Sequence, residues 1–114
     1  AMSCIFCEIA AGTRKASLVF EDERVVAFRD INPVAPVHIL VIPRAHIPGP
    51  LAVGGDNADV AGHLIAVAGH IARDLGFASD GYRLVLNEGQ QGGQSVFHMH
   101  LHLLGGRRMG WPPG

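Results

Sequence analysis

Residues 98 to 104 read HMHLHLL, with histidine at every second position and apolar residues between them. A period of two is the strand period, so His98, His100 and His102 share one face and Phe97, Met99, Leu101 and Leu103 share the other. The apolar face demands a core. The histidine face suits neither a dry core nor ordinary surface, so it is expected to line a groove or polar pocket. Such a chain folds around a sheet that is packed on one side and carries a site on the other. The outer histidines would stand roughly 13 Å apart on a straight strand, whereas the ligands of one ion lie about 2 Å from it. A single metal held by all three is therefore disfavoured, and separate roles are expected.

The rest of the chain must supply that core within 114 residues, enough for one domain spanning 1–114. Hydrophobic residues make up 48% and charged residues 17%, the balance of a folded globule. Nine Lys and Arg against ten Asp and Glu leave a formal charge of −1, which argues against a basic nucleic-acid-binding surface. No apolar run reaches the roughly 20 residues that span a bilayer, and no leader of the secretory type opens the sequence. With only two cysteines, a cytoplasmic protein is expected. Ala1 before Met2 reads as a cloning remnant, and residues 1–3 as tag or disordered.

Along the chain, CIFCEIAAG has Ile5, Phe6 and Ile9 at helical spacing and ends at Gly12, a short helix. SLVFEDERVVAF reads as a hairpin turning at Glu21-Asp22-Glu23. DINPVAP is a proline-bounded loop, and VHILVIP a buried central strand. In NADVAGHLIAVAGHIARDLG, Val60, Leu64, Val67, Ile71 and Leu75 follow the helical period, Asp56 or Asn57 can cap the start, and Gly76 can end it. YRLVLNE and VFHMHLHLL are two more strands, separated by the glycine-rich GQQGGQS. Residues 105–114 form a Gly/Pro-rich tail. The expected fold class is α+β: a five-stranded antiparallel meander sheet with one long helix on a face and a short N-terminal helix.

The histidine face invites phosphate chemistry. Neutral imidazole is a nucleophile near pH 7, and one ring nitrogen can attack while the other stays protonated against an acceptor. Gly92-Gly93-Gln94-Ser95 just before it is either a plain tight turn or an anion-binding nest with a hydroxyl. Cys4-x-x-Cys7 leaves three readings open: a redox pair, two idle thiols, or half of a zinc site. His63 and His70 flank the stripe of the long helix and read as partly exposed, and Arg107-Arg108 as a solvated pair.

HMHLHLL also matches the His-φ-His-φ-His-φ-φ pattern (φ apolar) of the histidine triad superfamily. FRDINPVAPVHILVIPRAHI, GYRLVLNEGQQGGQSVFHMHLHLLGGR and MGWPPG resemble its Hint branch, the purine nucleoside phosphoramidases. The resemblance runs from Cys4 to Gly114. It implies that His100 is the nucleophile on the α-phosphate, that His102 touches the phosphate oxygens, that His38 supports the nucleophile, and that Ser95 hydrogen-bonds the phosphate or leaving group beside Gly93 and Val96. It implies that Asp30 accepts the ribose hydroxyls, a task suited to an acceptor-only carboxylate, and that Asn87 reaches the sugar–phosphate side. Ile5, Phe6, Ile9, Phe28 and Ile31 would form an apolar slot open to adenine and guanine alike. From the zinc-carrying members, many of them bacterial, it implies a structural zinc on Cys4, Cys7, His46 and His98, with no organic cofactor. It further implies a two-fold homodimer with a ten-stranded sheet, in which Trp111 approaches the partner's site. The expected activity is hydrolysis of P–N bonds in purine nucleoside 5′-phosphoramidates, with some on acyl-adenylates and AMP as product. The rivals are a dinucleoside polyphosphate hydrolase and a zinc-stabilised nucleotide-binding scaffold.

Overall fold

The order of elements follows the hydropathy pattern of the chain. The structure, a computed structural model, describes residues 4–114, so the expectation for residues 1–3 lies outside it. Helix α1 spans Ile5–Ala11, strand β1 Leu18–Glu21, β2 Val25–Arg29 and β3 Val37–Pro43. After a single 3₁₀ turn at Pro50–Ala52 come helix α2, Ala58–Asp74, and strands β4, Arg83–Val85, and β5, Leu101–Gly105. The five strands form one antiparallel sheet in the order β1-β2-β3-β5-β4. The first three run as the expected meander. The last two do not, because β5 inserts between β3 and β4.

The sheet is buried on both sides at its centre. Val25, Ala27, Ile39, Val41, Leu101 and Leu103 pack with Leu64, Val67 and Ile71 of α2. The alternate residues Val26, Phe28, Leu40 and Ile42 pack with Phe6, Ile9 and Ala10 of α1. The hairpin turn falls at Asp22-Glu23-Arg24, one residue later than expected. The Asp22 carboxylate accepts the Arg24 and Val25 N–H groups at 2.8 Å, which leaves Glu21 in the strand. His63 then ties α2 to this turn, its Nε2 lying 2.6 Å from Asp22 Oδ2, while the exposed His70 packs on Phe20.

The structure departs from three local expectations. Asn57 occupies the N-cap position of α2 but makes no side-chain bond to the helix; it accepts the Gly54 N–H at 2.7 Å and braces the preceding loop. Leu75 leaves the apolar stripe and is 45% exposed, because the helix ends at Asp74 and Gly76 turns the chain at φ +86°. The last strand starts at Leu101, not before the histidines, and Phe97 is 57% exposed instead of joining the core. The ladder with β3 stops at the Val41–Leu101 pair although β3 itself runs on to Pro43, so the residues before Leu101 leave the sheet. Met99 N–H instead bonds the Ile47 carbonyl at 2.6 Å in the loop after β3. No helix is long and apolar enough to cross a membrane among the described residues.

Candidate active site and metal cluster

The strand register lays out the site. His102 stands opposite Leu40, Leu40 opposite Phe28, and Phe28 opposite Leu18, so one line crosses the sheet from β5 to β1. Three interstrand steps make this line roughly 14 Å long. Over it lies a cavity of about 320 Å³, walled by α1 and by Ser95 and Val96. Ile5, Phe6, Ile9, Phe28 and Ile31 line it together with Asp30, His100 and His102. Ala16, Ser17, Leu40, Arg14, Lys15 and Arg29 also line it and were not foreseen. Asn87 and Trp111 lie elsewhere. Asn87 lines a second cavity with Arg83, Leu104 and Arg107. Trp111 is 81% exposed, with the Arg83 guanidinium 5.8 Å from its ring centroid.

Backbone groups set the proton positions of the histidines. A carbonyl only accepts and an N–H only donates, so each such contact assigns a ring nitrogen. His98 Nε2 lies 2.8 Å from the Pro43 carbonyl and must carry its proton, which leaves the lone pair on Nδ1. His100 Nδ1 lies 2.8 Å from the His98 carbonyl and must carry its own, which leaves the lone pair on Nε2. His38 Nδ1 accepts the Val34 N–H at 3.2 Å, so Nε2 is the protonated atom and donates to His102 Nδ1 at 2.9 Å. His102 therefore holds its proton on Nε2, a buried atom with no partner among the described residues. His98 and His102 thus carry the proton on Nε2 and His100 carries it on Nδ1, each state dictated by a neighbour.

Burial, together with the nearby His100 and His38, pushes the His102 pKa down to about 4, against which the Asp30 charge pulls weakly upward. Burial also depresses His38, aided by His100 and opposed by Asp30. Both rings stay neutral through the physiological range. The consequence for stability has a definite sign. With the folded pKa below the unfolded value of 6.5, the unfolded chain binds the extra proton, so stability falls as pH drops from about 6.5 towards 4. The ceiling from this group is about 3 kcal/mol. Urea midpoints at pH 7, 5.5 and 4 should show that slope, and His102→Gln should flatten it; an unchanged slope would reject the assignment.

A second group of side chains meets at the N-terminus of α1. Cys4, the N-cap residue, has Sγ 3.4 Å from His98 Nδ1. Cys7 Sγ lies 3.5 Å from the same nitrogen and 3.3 Å from His46 Nδ1, and the two Nδ1 atoms are 3.2 Å apart. Tetrahedral zinc at its usual bond lengths requires edges of about 3.3 Å between nitrogens and about 3.6 Å between nitrogen and sulfur. The four residues therefore suit a metal site, and the lone pair of His98 is on the correct nitrogen for it. Asp30, His38 and His102 also cluster within 4.8 Å. They do not suit a metal, because the His38 nitrogen in that group is the one carrying the proton.

The loop before the triad is held by Gln94, which the sequence reading named only as part of the Gly92–Ser95 turn. Its buried amide accepts the Gly89 N–H at 2.8 Å and donates to the Pro48 and Val96 carbonyls. Gly93, exposed at φ +80°, lets the turn close, and Ser95 emerges on the cavity rim. Nothing in the local pattern separates this glutamine from Gln90 or Gln91.

Comparison with known proteins places this geometry. The HIT-domain sequence family matches residues 11–109. The 14 kDa zinc-binding protein of Zea mays is 47% identical over 112 residues, covering 96% of this chain and 87% of that protein. The crystal structure of a HIT family hydrolase from Legionella pneumophila Philadelphia 1 superimposes with a TM-score of 0.96 at 48% identity, covering 98% of this chain and all of that one. A histidine triad nucleotide-binding protein from Candida albicans superimposes at 0.82 with 29% identity, covering 96% and 83%. The chain belongs to the histidine triad (HIT domain) family.

Proposed function

We propose that the protein hydrolyses the P–N bond of purine nucleoside 5′-phosphoramidates, and acyl-adenylates more weakly, through a nucleotidyl-His100 intermediate. The observation that carries this is the His100 ring itself: Nδ1–H is spent on the His98 carbonyl, so Nε2 holds a free lone pair beside the apolar slot. The purine would occupy the slot between α1 and Phe28, with Asp30 on the ribose. Nε2 attacks phosphorus while the bond to the leaving nitrogen breaks. That nitrogen takes a proton from solvent by way of the Ser95 hydroxyl and leaves as the amine. Water then attacks phosphorus, the Nε2–P bond opens, and the nucleoside monophosphate departs. The unpartnered Nε2–H of His102 would meet the phosphate oxygens, where charge builds in the transition state.

Zinc on Cys4, Cys7, His46 and His98 would be structural, since all four protein ligands close the site and leave no position for substrate. The zinc-binding relative from Zea mays supports that choice of metal. A homodimer through β4 is supported by its open sheet edge and by the exposed apolar faces of Tyr82 and Leu86 beside it. In that dimer Trp111 and Asn87 would serve the site from the tail and the β4 end. The free thiols of Cys4 and Cys7 fit a cytoplasmic setting.

The reading is tested by kinetics on one preparation. We expect kcat/KM for adenosine 5′-phosphoramidate to exceed that for a diadenosine polyphosphate by about a hundredfold or more, since the cavity accommodates one nucleoside and a small leaving group. A preference for the polyphosphate would overturn it in favour of the rival hydrolase.

A further inference from the structure

We propose that Arg107, in the tail, is a positioning residue for the His38–His102 pair: by holding Val34 it determines which nitrogen of each ring carries the proton. Arg107 Nη2 donates to the Val34 carbonyl at 3.0 Å. The N–H of the same residue donates to His38 Nδ1, and His38 Nε2 donates on to His102 Nδ1. The chain of contacts thus runs from the tail to the unpartnered Nε2–H of His102. Val34 is otherwise exposed in a loop between Pro33 and Pro36, and no regular element holds it. The guanidinium is itself fixed, since its Nη1 donates to the Arg108 carbonyl at 3.1 Å and approaches Met109 Sδ at 3.4 Å. The backbone before it is tightly seated as well. A Cβ on Gly106, at φ +89°, would lie 2.7 Å from Pro36 Cβ.

The Val34 N–H has a second effect. While it occupies Nδ1, His38 cannot become imidazolium, although the Asp30 carboxylate lies 3.4 Å from Nε2, at the same nitrogen that meets His102, and His100 is near enough to act on its charge. Releasing Val34 frees Nδ1 to take a proton. His38 can then carry its proton on Nδ1, in which case His102 loses the donor that keeps its own proton on Nε2, or it can take a second proton and charge beside Asp30.

The test uses the full chain labelled with ¹⁵N-histidine. In the unaltered protein the His38 nitrogens should resonate as the Nε2–H form. In Arg107→Ala they should shift towards an average of the two neutral forms, with Arg107→Lys restoring the original shifts because an ammonium can still reach the Val34 carbonyl. The kinetic part rests on the hydrolase reading: kcat should fall about tenfold in Arg107→Ala with KM nearly unchanged. Arg108→Ala, which removes the same charge, should match the unaltered protein. Unchanged His38 shifts in Arg107→Ala overturn the proposal, and shifted resonances with an unchanged kcat overturn its catalytic part. Shifted resonances in a protein that turns over no phosphoramidate would reject the hydrolase reading and leave the positioning role standing.

Discussion

Replacing His100 by alanine should lower turnover of adenosine 5′-phosphoramidate by a factor on the order of 10⁴ or more, with fold and metal content retained. The size follows from the kind of interaction removed. The other groups at the cavity hold the nucleotide or stabilise charge, and the loss of one such donor typically costs about 10²–10³. His100 is the one ring there whose free lone pair faces the slot, so its loss removes the covalent route itself. The fold should survive because, among the described residues, the ring's one hydrogen bond is to the His98 carbonyl, and its packing partner Phe6 also rests on Phe28. His100→Asn is the sharper variant, since an amide can keep a donor towards the His98 carbonyl while supplying no nucleophile. Rapid-quench trapping of radiolabelled nucleotide on the protein checks the assignment directly. Label bound covalently to the unaltered chain and absent from both variants is the expected result; label retained on His100→Ala would move the nucleophile elsewhere.

The division of labour among the histidines was partly legible in HMHLHLL. Strand spacing argues against one ion on all three, and the side chains do group apart, His98 with Cys4, Cys7 and His46 and His102 with Asp30 and His38, but the strand period itself holds only from Leu101 onward. The apolar slot came only from the family resemblance; by pattern alone Phe6, Ile9 and Phe28 read as core, and they do pack together beneath α1. What could not be read were contacts made by the main chain over long separations. The Pro43 carbonyl lies 55 residues from His98 along the chain, yet it decides which His98 nitrogen can bind a metal. Nor does composition show that Val34 would donate to His38, or that β5 would slip between β3 and β4. Local pattern specifies faces and periods, whereas the states of the rings depend on which backbone groups are left unpaired where β3 ends.

The metal cluster should carry the largest stability effect in the molecule. Purified without chelator, the protein should hold about one zinc per chain, and the Cys4→Ser/Cys7→Ser variant should hold none. Burial raises the Cys7 thiol pKa, helped by the neighbouring Cys4 and Glu8, so without an ion this residue stays a thiol. Zinc binds the thiolate, and loading at neutral pH should therefore release protons, measurable in weakly buffered solution. Of the packed elements, α1 is the one most dependent on the ion. It is seven residues long, too short to be stable alone, and Cys4 caps it. Its loss of anchorage should cost several kcal/mol, lowering Tm by roughly 10–20 °C in a chain of this size. The effect should reach the nucleotide as well. Phe6 stands edge-on to His98, His100 and Phe28 at 6.0, 5.1 and 5.5 Å between centroids, so a loosened α1 takes one wall of the slot with it. KM and the Kd for AMP should then rise about tenfold or more, while kcat at saturation falls less, because the His98 carbonyl that orients His100 is also held from β3. Equal Tm and equal AMP affinity with and without the metal would show that the four ligands gather for packing alone.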